Sequence, residues 1–330
     1  MVVHYGDNQA YAEVAVAIRH WDFRNLDIQH FMGYPYFIAA VSWLLHVPMA
    51  IAGWLIAFVS SLAAVFLIAR LLDNWTAAYF ALSNFAWLQL SFLGGSEPLA
   101  VALGMGALML FRGRRIFLAA LLAALAVTVR PLMVFVLIGM GVVLLYRKQF
   151  GAFLAALGTS LVVGSLYVAP LAIYFGDPLL TVHSYTARDY GAANVTGPHG
   201  HLFGWPFHGI VVGTMTYPAP WTNLALSFSW IFLVLVGTCM MFSARFREYA
   251  RKYPNEVIYS ALYLVTLFCY DYLIWARSNF MRFAIPVLPF VFYALLGWLP
   301  RKRPVLWFLS AASGFLAACS ALGIRNLKFP

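Results

Sequence analysis

Residues 48–72 read PMAIAGWLIAFVSSLAAVFLIARLL, an apolar run with a single charge, Arg70, close to its end. The hydrocarbon core of a bilayer is about 30 Å thick and accepts roughly 20 apolar residues as one helix. A helix apolar on all sides belongs in a membrane or deep inside a large core. The rest of the chain decides for the membrane. Of 330 residues, 63% are hydrophobic and 10% charged, whereas a soluble domain carries roughly 25% charged residues. Nine further segments read as spans: 75–93, 96–111, 116–129, 131–146, 150–175, 222–243, 256–275, 282–299 and 304–322. The predicted fold class is therefore all-α, a polytopic transmembrane bundle of about ten spans. Segment 116–129 is short enough to need tilt or local thinning. Residues 34–47, YPYFIAAVSWLLHV, are too few to cross and suit a juxtamembrane surface helix.

Lys and Arg mark the cytoplasmic loops. Arg70 follows the first span; Arg112, Arg114 and Arg115 follow the third; Arg147 and Lys148 follow the fifth. Arg245, Arg247, Arg251 and Lys252 follow the seventh, and Arg301, Lys302 and Arg303 the ninth. Every second loop is basic, and these loops hold 13 of the 21 Lys and Arg residues. The net charge of +10 is thus a record of orientation, and no nucleic-acid partner is expected. Residues 1–47 and the loop 176–221 then face outward. An outward start without a signal peptide must still be translocated. A first span is accordingly expected to precede Met1 in the natural gene product. The three cysteines lie in apolar runs without a C-x-x-C pair and read as small buried hydrophobes.

All eight histidines fall in outward segments, as do Asp7, Glu13, Asp22, Asp27, Glu97, Asp177 and Asp189. Outer loops are also the longest wet segments, which explains part of this bias. In the first of them, Asp7 or Asn8 caps a predicted helix running to about His20. Tyr11, Val14, Ala15 and Ile18 share one face, and Gln9, Glu13 and Arg19 the other. Such a helix lies on a membrane surface. Asp7 at its N-terminus is kept ionised by the helix dipole. It serves either as a plain cap or as a general base at the boundary. Arg130, Arg277 and Arg282 stand at outward span ends, where a guanidinium either snorkels to lipid phosphate or forks onto a substrate phosphate. Glu97 opens a span, as a cap or as a binding group. His183, His199, His201 and His208 lie in a loop rich in Gly, Pro and aromatics. The H-x-H at His199 and His201 has no third metal ligand at a diagnostic spacing. Asp177 makes a turn before Pro178 or contacts substrate.

In order, GDNQAYAEVAVAI, GYPYFIAAVSWLL, SFLGGSEPLAVALGMGAL, RRIFLAALLAALAVTVRPLMVFVLI, YFGDPLL and RSNFMRFAIPVLPF resemble successive features of GT-C superfamily glycosyltransferases. These are the first outer loop, the second surface helix, a Ser-Glu turn, paired short helices around an outward Arg, a Gly-Asp-Pro opening the large outer loop, and an Arg-x-x-x-Pro-x-x-Pro pattern. The resemblance covers residues 4 to about 300, and residues 1–330 are expected to form a single domain. In the family, a first transmembrane helix precedes the loop, in line with the span expected before Met1.

The resemblance implies a polyprenyl-phosphate sugar donor, mannose or a similar sugar, and transfer to a lipid or glycan hydroxyl, commonly with inversion. The active face is then the outer face of a bacterial inner or plasma membrane. Asp7 matches the catalytic Asp. Tyr11, Glu97, Arg130, Arg277, Arg282 and His183 become candidate substrate-binding residues. Asn8 departs from the Asp-Glu pair of the protein O-mannosyltransferase branch. No D-x-D occurs in the chain, so neither a metal-bound nucleotide sugar nor any cofactor is expected. The rivals are a transporter or flippase and a non-catalytic membrane subunit. Transporters often show internal repeats and midplane polar sites, and this sequence shows neither.

Overall fold

The structure is a computed structural model that describes residues 6–22, 31–187, 203–211, 221–270 and 280–321. Helix α1 spans Gly6–His20 and buries the expected face, Tyr11, Val14, Ala15 and Ile18, while Glu13 and Arg19 stay exposed. Helix α2, Gly33–Leu45, packs against it and leaves Trp43, Leu44 and Leu45 exposed at its far end. Its first residue has to be glycine: an added Cβ at Gly33 would overlap the Thr128 carbonyl. Helix α3, Met49–Leu71, matches the expected span 48–72 and is long and apolar enough to cross a membrane alone.

The expected span 75–93 is two helices, α4 (Asn74–Ser83) and α5 (Phe85–Leu93). The break has a local cause. Asn84 is extended, and its side chain accepts the Trp87 N–H at 3.0 Å, so a polar cap replaces the helical ladder. Asp73 caps α4 in the same way, accepting the Thr76 N–H at 2.8 Å. Helix α6, Glu97–Arg112, leaves α5 at 105°. Helix α7, Ile116–Val129, stops at Arg130, which is extended because Pro131 follows. A 3₁₀ turn at Pro131–Met133 leads into α8, Val134–Tyr146. Helix α9, Phe150–Phe175, is the second helix able to cross alone, with only 6% of its apolar window buried. Outward-facing Leu154, Leu161, Leu166 and Ile173 are the surface of a helix meant for lipid. Gly176 ends it at φ 69°.

Helix α10 is Leu180–Ala187, α11 is Trp221–Met240 and α12 is Ala244–Lys252, the last two bent by 73°. Helix α13 is Pro254–Cys269. The expected span 282–299 is also broken, into α14 (Phe280–Ala284) and α15 (Leu288–Leu295), with Pro286 between them. Helix α16 is Arg303–Ala321. The described residues contain no strand beyond an isolated bridge between Phe203 and Tyr270. Among the described residues two helices are long and apolar enough to cross a membrane, or up to four if each bent pair counts as one span. The expected spans 116–129, 131–146 and 304–322 are shorter apolar helices, and of 256–275 the part up to 270 is described, as α13 and the residue after it, with 271–275 outside the described residues.

Small residues hold the centre. Ala100 and Ala107 on α6 and Ala119, Ala120, Ala123 and Ala126 on α7 are fully buried. They let the helices approach closely, the packing mode available where lipid removes a hydrophobic drive between helices. At the far end of α6 a buried ion pair ties three helices together. Arg112 meets Glu256 through Nε at 2.6 Å and Nη2 at 2.7 Å, and donates from Nη1 to the Leu71 carbonyl at 2.8 Å. The Tyr249 hydroxyl also binds Glu256, and the Tyr253 ring lies 3.5 Å from the guanidinium. From sequence, Arg112 is legible only as a marker of orientation.

Candidate active site

The α5–α6 corner is built for close approach. Gly94 sits at φ 91°, a left-handed position natural to glycine, and caps α5 through its N–H to the Leu90 carbonyl at 3.1 Å. Gly95 and Ser96 follow, and Glu97 opens α6 with its side chain 1% exposed. Pro98 at the second position of α6 needs no backbone N–H there.

Two guanidiniums from distant parts of the chain converge on this carboxylate. Arg130, ending α7, and the Arg282 Nε, on α14, both pair with Glu97 Oε1. Their side chains are 19% and 11% exposed. Glu97 Oε2 is buried without a hydrogen-bond partner among the described residues. Arg130 also lies over the Phe283 ring, 5.4 Å from its centre. The turn after Arg282 is anchored from α13, where the Tyr263 hydroxyl donates to the Phe283 carbonyl at 2.8 Å and the Tyr259 hydroxyl to the Pro286 carbonyl at 2.9 Å. The backbone that follows Arg282 is thus hydrogen-bonded to α13 at two points.

Helix α1 docks on the other side of the same corner. The Asn8 amide donates to the Leu93 carbonyl, and the Tyr11 and Ser96 hydroxyls are 3.3 Å apart. The Tyr34 hydroxyl donates to the Gly53 carbonyl at 2.8 Å and reaches the Gly94 carbonyl at 3.3 Å, and its ring meets Tyr11 edge-on at 5.1 Å. The first turn of α1, which contains Asp7, is thereby held at the corner that carries Glu97. The Asp7 side chain itself lies outside the described residues, as do Arg277, His199 and His201. Beside this turn opens a cleft of about 490 Å³, lined by Asn8, Gln9 and Glu13 on one wall and by Ile38, Gly53 and Trp54 on the other. It is mostly apolar with a polar edge, as suits a ligand with a hydrophobic body.

Five sequence candidates therefore meet one corner: Glu97, Arg130 and Arg282 by direct pairing, Tyr11 through Ser96, and Asp7 by the position of its helix turn. His183 has a different setting. Its Nδ1 lies 2.8 Å from Asp177 Oδ2, and Asp177 Oδ1 accepts the Leu179 N–H at 2.9 Å. Asp177 thus makes the turn before Pro178. The hydrogen bond from His183 holds the Asp177 carboxyl below its ordinary range. Among the described residues no three His, Cys, Asp or Glu side chains gather as metal ligands do.

The supporting groups Tyr34, Tyr259 and Tyr263 were not singled out from sequence. Tyr259 and Tyr263 did leave a trace, two tyrosines one turn apart in an apolar helix, where each hydroxyl needs a partner.

No family model matches the chain, and no curated protein matches it. Among solved structures, ArnT from Cupriavidus metallidurans in the apo state aligns over 98% of this chain with a TM-score of 0.53 at 14% sequence identity. The chain spans 62% of the length of that protein. The likeness is one of fold alone: this chain is an all-α membrane helix bundle that shares the fold of that protein.

Proposed function

We propose that the protein is a GT-C-type membrane glycosyltransferase that moves a sugar, mannose or a similar one, from a polyprenyl-phosphate donor to a hydroxyl of a lipid or glycan acceptor. The protein is multi-pass, and the reaction takes place on the non-cytoplasmic face of a bacterial inner membrane, within one domain whose segments 1–47 and 176–221 face outward. The observation that carries this reading is the convergence of Arg130 and Arg282 on Glu97 beneath the helix turn that bears Asp7.

The chemistry needs these parts. The acceptor oxygen attacks the anomeric carbon, the bond from that carbon to the phosphate oxygen breaks, and the phosphate leaves with the electron pair. The acceptor proton passes to the Asp7 carboxylate. Charge develops on the sugar ring, in an oxocarbenium-like state, and on the leaving phosphate. Guanidinium forks match phosphate oxygens in geometry and remain charged at any working pH. Glu97 fixes the direction of both forks, so little reorganisation is needed as phosphate charge grows. Tyr11 and Ser96 hold the corner to the α1 turn, and the apolar cleft beside Asn8 takes a lipid portion of a substrate. Arg277 and His183 are proposed as further substrate contacts from the flanking outer segments.

The test is transfer in vitro. Purified full chain is mixed with radiolabelled polyprenyl-phosphate mannose or a related donor and a panel of lipid and glycan acceptors. Asp7→Asn is expected to abolish transfer while leaving donor binding in place. Transfer that survives Asp7→Asn refutes the assignment of the base. Donor that is moved across proteoliposomes without being consumed refutes the enzyme reading in favour of a transporter.

A further inference from the structure

Away from the Glu97 corner, a second apolar slot of about 420 Å³ lies between α11, α12 and α13. Its walls include Phe246 and Ala250 on α12 and Val257, Ala261, Leu264 and Phe268 on α13. The hydroxyl of Thr238, which also lines it, is spent on the Val234 carbonyl at 2.7 Å. The slot therefore selects an aliphatic body. From Val257 to Phe268 it follows α13 for about 16 Å at 1.5 Å per residue. That is close to one leaflet, half of a hydrocarbon core about 30 Å thick.

The helix that closes one side of the slot is cationic. Helix α12 reads ARFREYARK, with Phe246 and Tyr249 buried and its Arg and Lys residues exposed. Two of its four cations have intramolecular roles. Arg245 lies 4.8 Å from the Tyr293 ring centre and 3.9 Å from Asp73, and Lys252 lies 5.4 Å from the Tyr253 ring. Arg247 and Arg251 have no ion pair or ring partner among the described residues. They stand one turn apart, and each directly follows a slot residue, Phe246 or Ala250, about 100° round the helix. Glu248 falls on the side away from the slot.

We infer that this slot and the Arg247–Arg251 pair form a binding site for one anionic glycerophospholipid, with an acyl chain along α13 and the headgroup phosphate between the two guanidiniums. The site lies in the leaflet on the α12 side of the bundle. It is independent of the glycosyl-transfer reading. A zwitterionic lipid with the same chains fills the slot equally well but cancels its own phosphate charge. The pair therefore discriminates by headgroup, at about 1 kcal/mol per basic residue near the membrane surface.

Native mass spectrometry of the delipidated full chain tests this, titrating dioleoyl phosphatidylglycerol against dioleoyl phosphatidylcholine. Wild type is expected to retain phosphatidylglycerol more tightly. Arg247→Gln with Arg251→Gln is expected to weaken it about 30-fold, which corresponds to about 2 kcal/mol at 1.4 kcal/mol per tenfold. Arg114→Gln with Arg115→Gln removes the same net charge from an exposed loop elsewhere and is expected to leave retention unchanged. Ala261→Phe fills the slot from its exposed edge and is expected to reduce both lipids. Equal retention of the two lipids by wild type overturns the inference, as does an equal loss in the two double variants. If Ala261→Phe melts below wild type, the two charge variants decide the question without it.

Discussion

Glu97→Gln keeps the side-chain shape and removes a charge from a position only 1% exposed. Arg130 and Arg282 then share a neutral amide, whose nitrogen faces donors with another donor. Removing one partner of a buried ion pair costs about 3–5 kcal/mol, because the charge left behind is neither solvated nor compensated. Here the guanidinium side chains keep 19% and 11% exposure, so water relieves part of the penalty and the lower end, about 3 kcal/mol, is expected. Reversible unfolding in mixed micelles, titrated with a denaturing detergent, measures it. Ser96→Ala is the internal control: it deletes one hydroxyl contact of 3.3 Å to Tyr11 and is expected to cost about 1 kcal/mol or less. Glu97→Gln combined with Arg282→Gln is expected to cost less than the sum of the two single changes, by about 1 kcal/mol or more, since both remove the same interaction. A Glu97→Gln protein within about 0.5 kcal/mol of wild type, the range of an ordinary surface change, refutes the idea that this carboxylate organises the corner.

Other perturbations separate the parts of the fold. Gly33→Ala drives a methyl into the Thr128 carbonyl and is expected to cost about 1–3 kcal/mol as α2 is levered from α7, read in the same unfolding assay. Arg112→Gln and Glu256→Gln each break the buried pair at the far end of α6, with an expected loss of about 3–5 kcal/mol apiece and strong non-additivity when combined. Asp177→Asn has a signed pH signature. Because His183 holds the folded-state carboxyl low, its contribution is present above the ordinary carboxyl range and disappears as pH falls through the lowered value. Thermal midpoints of wild type and Asp177→Asn are therefore expected to differ at neutral pH and to converge in acid; a gap that widens in acid contradicts the assigned direction.

Much of the helical layout was legible in the sequence, because membrane helices satisfy their backbone internally and advertise it in composition. Segments 48–72, 96–111, 116–129 and 150–175 return as helices with ends shifted by a residue or two. So does the amphipathic stretch from Asp7 to His20, whose apolar spacing marked its buried face. Where the reading missed, a local polar event overrode an apolar run. The side chain of Asn84 captures the Trp87 N–H and splits 75–93, and Pro286 stands in the gap that divides 282–299. Composition averaged over a window does not register one competing hydrogen bond.

Composition and periodicity are enough for the class of the molecule, the positions of most helices and a short set of polar residues at span ends, each with a structural and a functional reading. Glu97, Arg130 and Arg282 each stood out alone, as charges costly to bury at a span end. That they form one cluster follows from the packing of α6, α7 and α14. Their separation along the chain, 185 residues from Glu97 to Arg282, is closed by the α5–α6 corner, the end of α7 at Pro131 and the two tyrosine hydroxyls of α13. The same holds for Arg112, a loop charge in sequence and a buried tie to Glu256 in the fold. A side chain's type fixes what chemistry it offers. Which opposite charge it meets depends on helix packing angles and register, and those follow from contacts between residues that no local pattern relates.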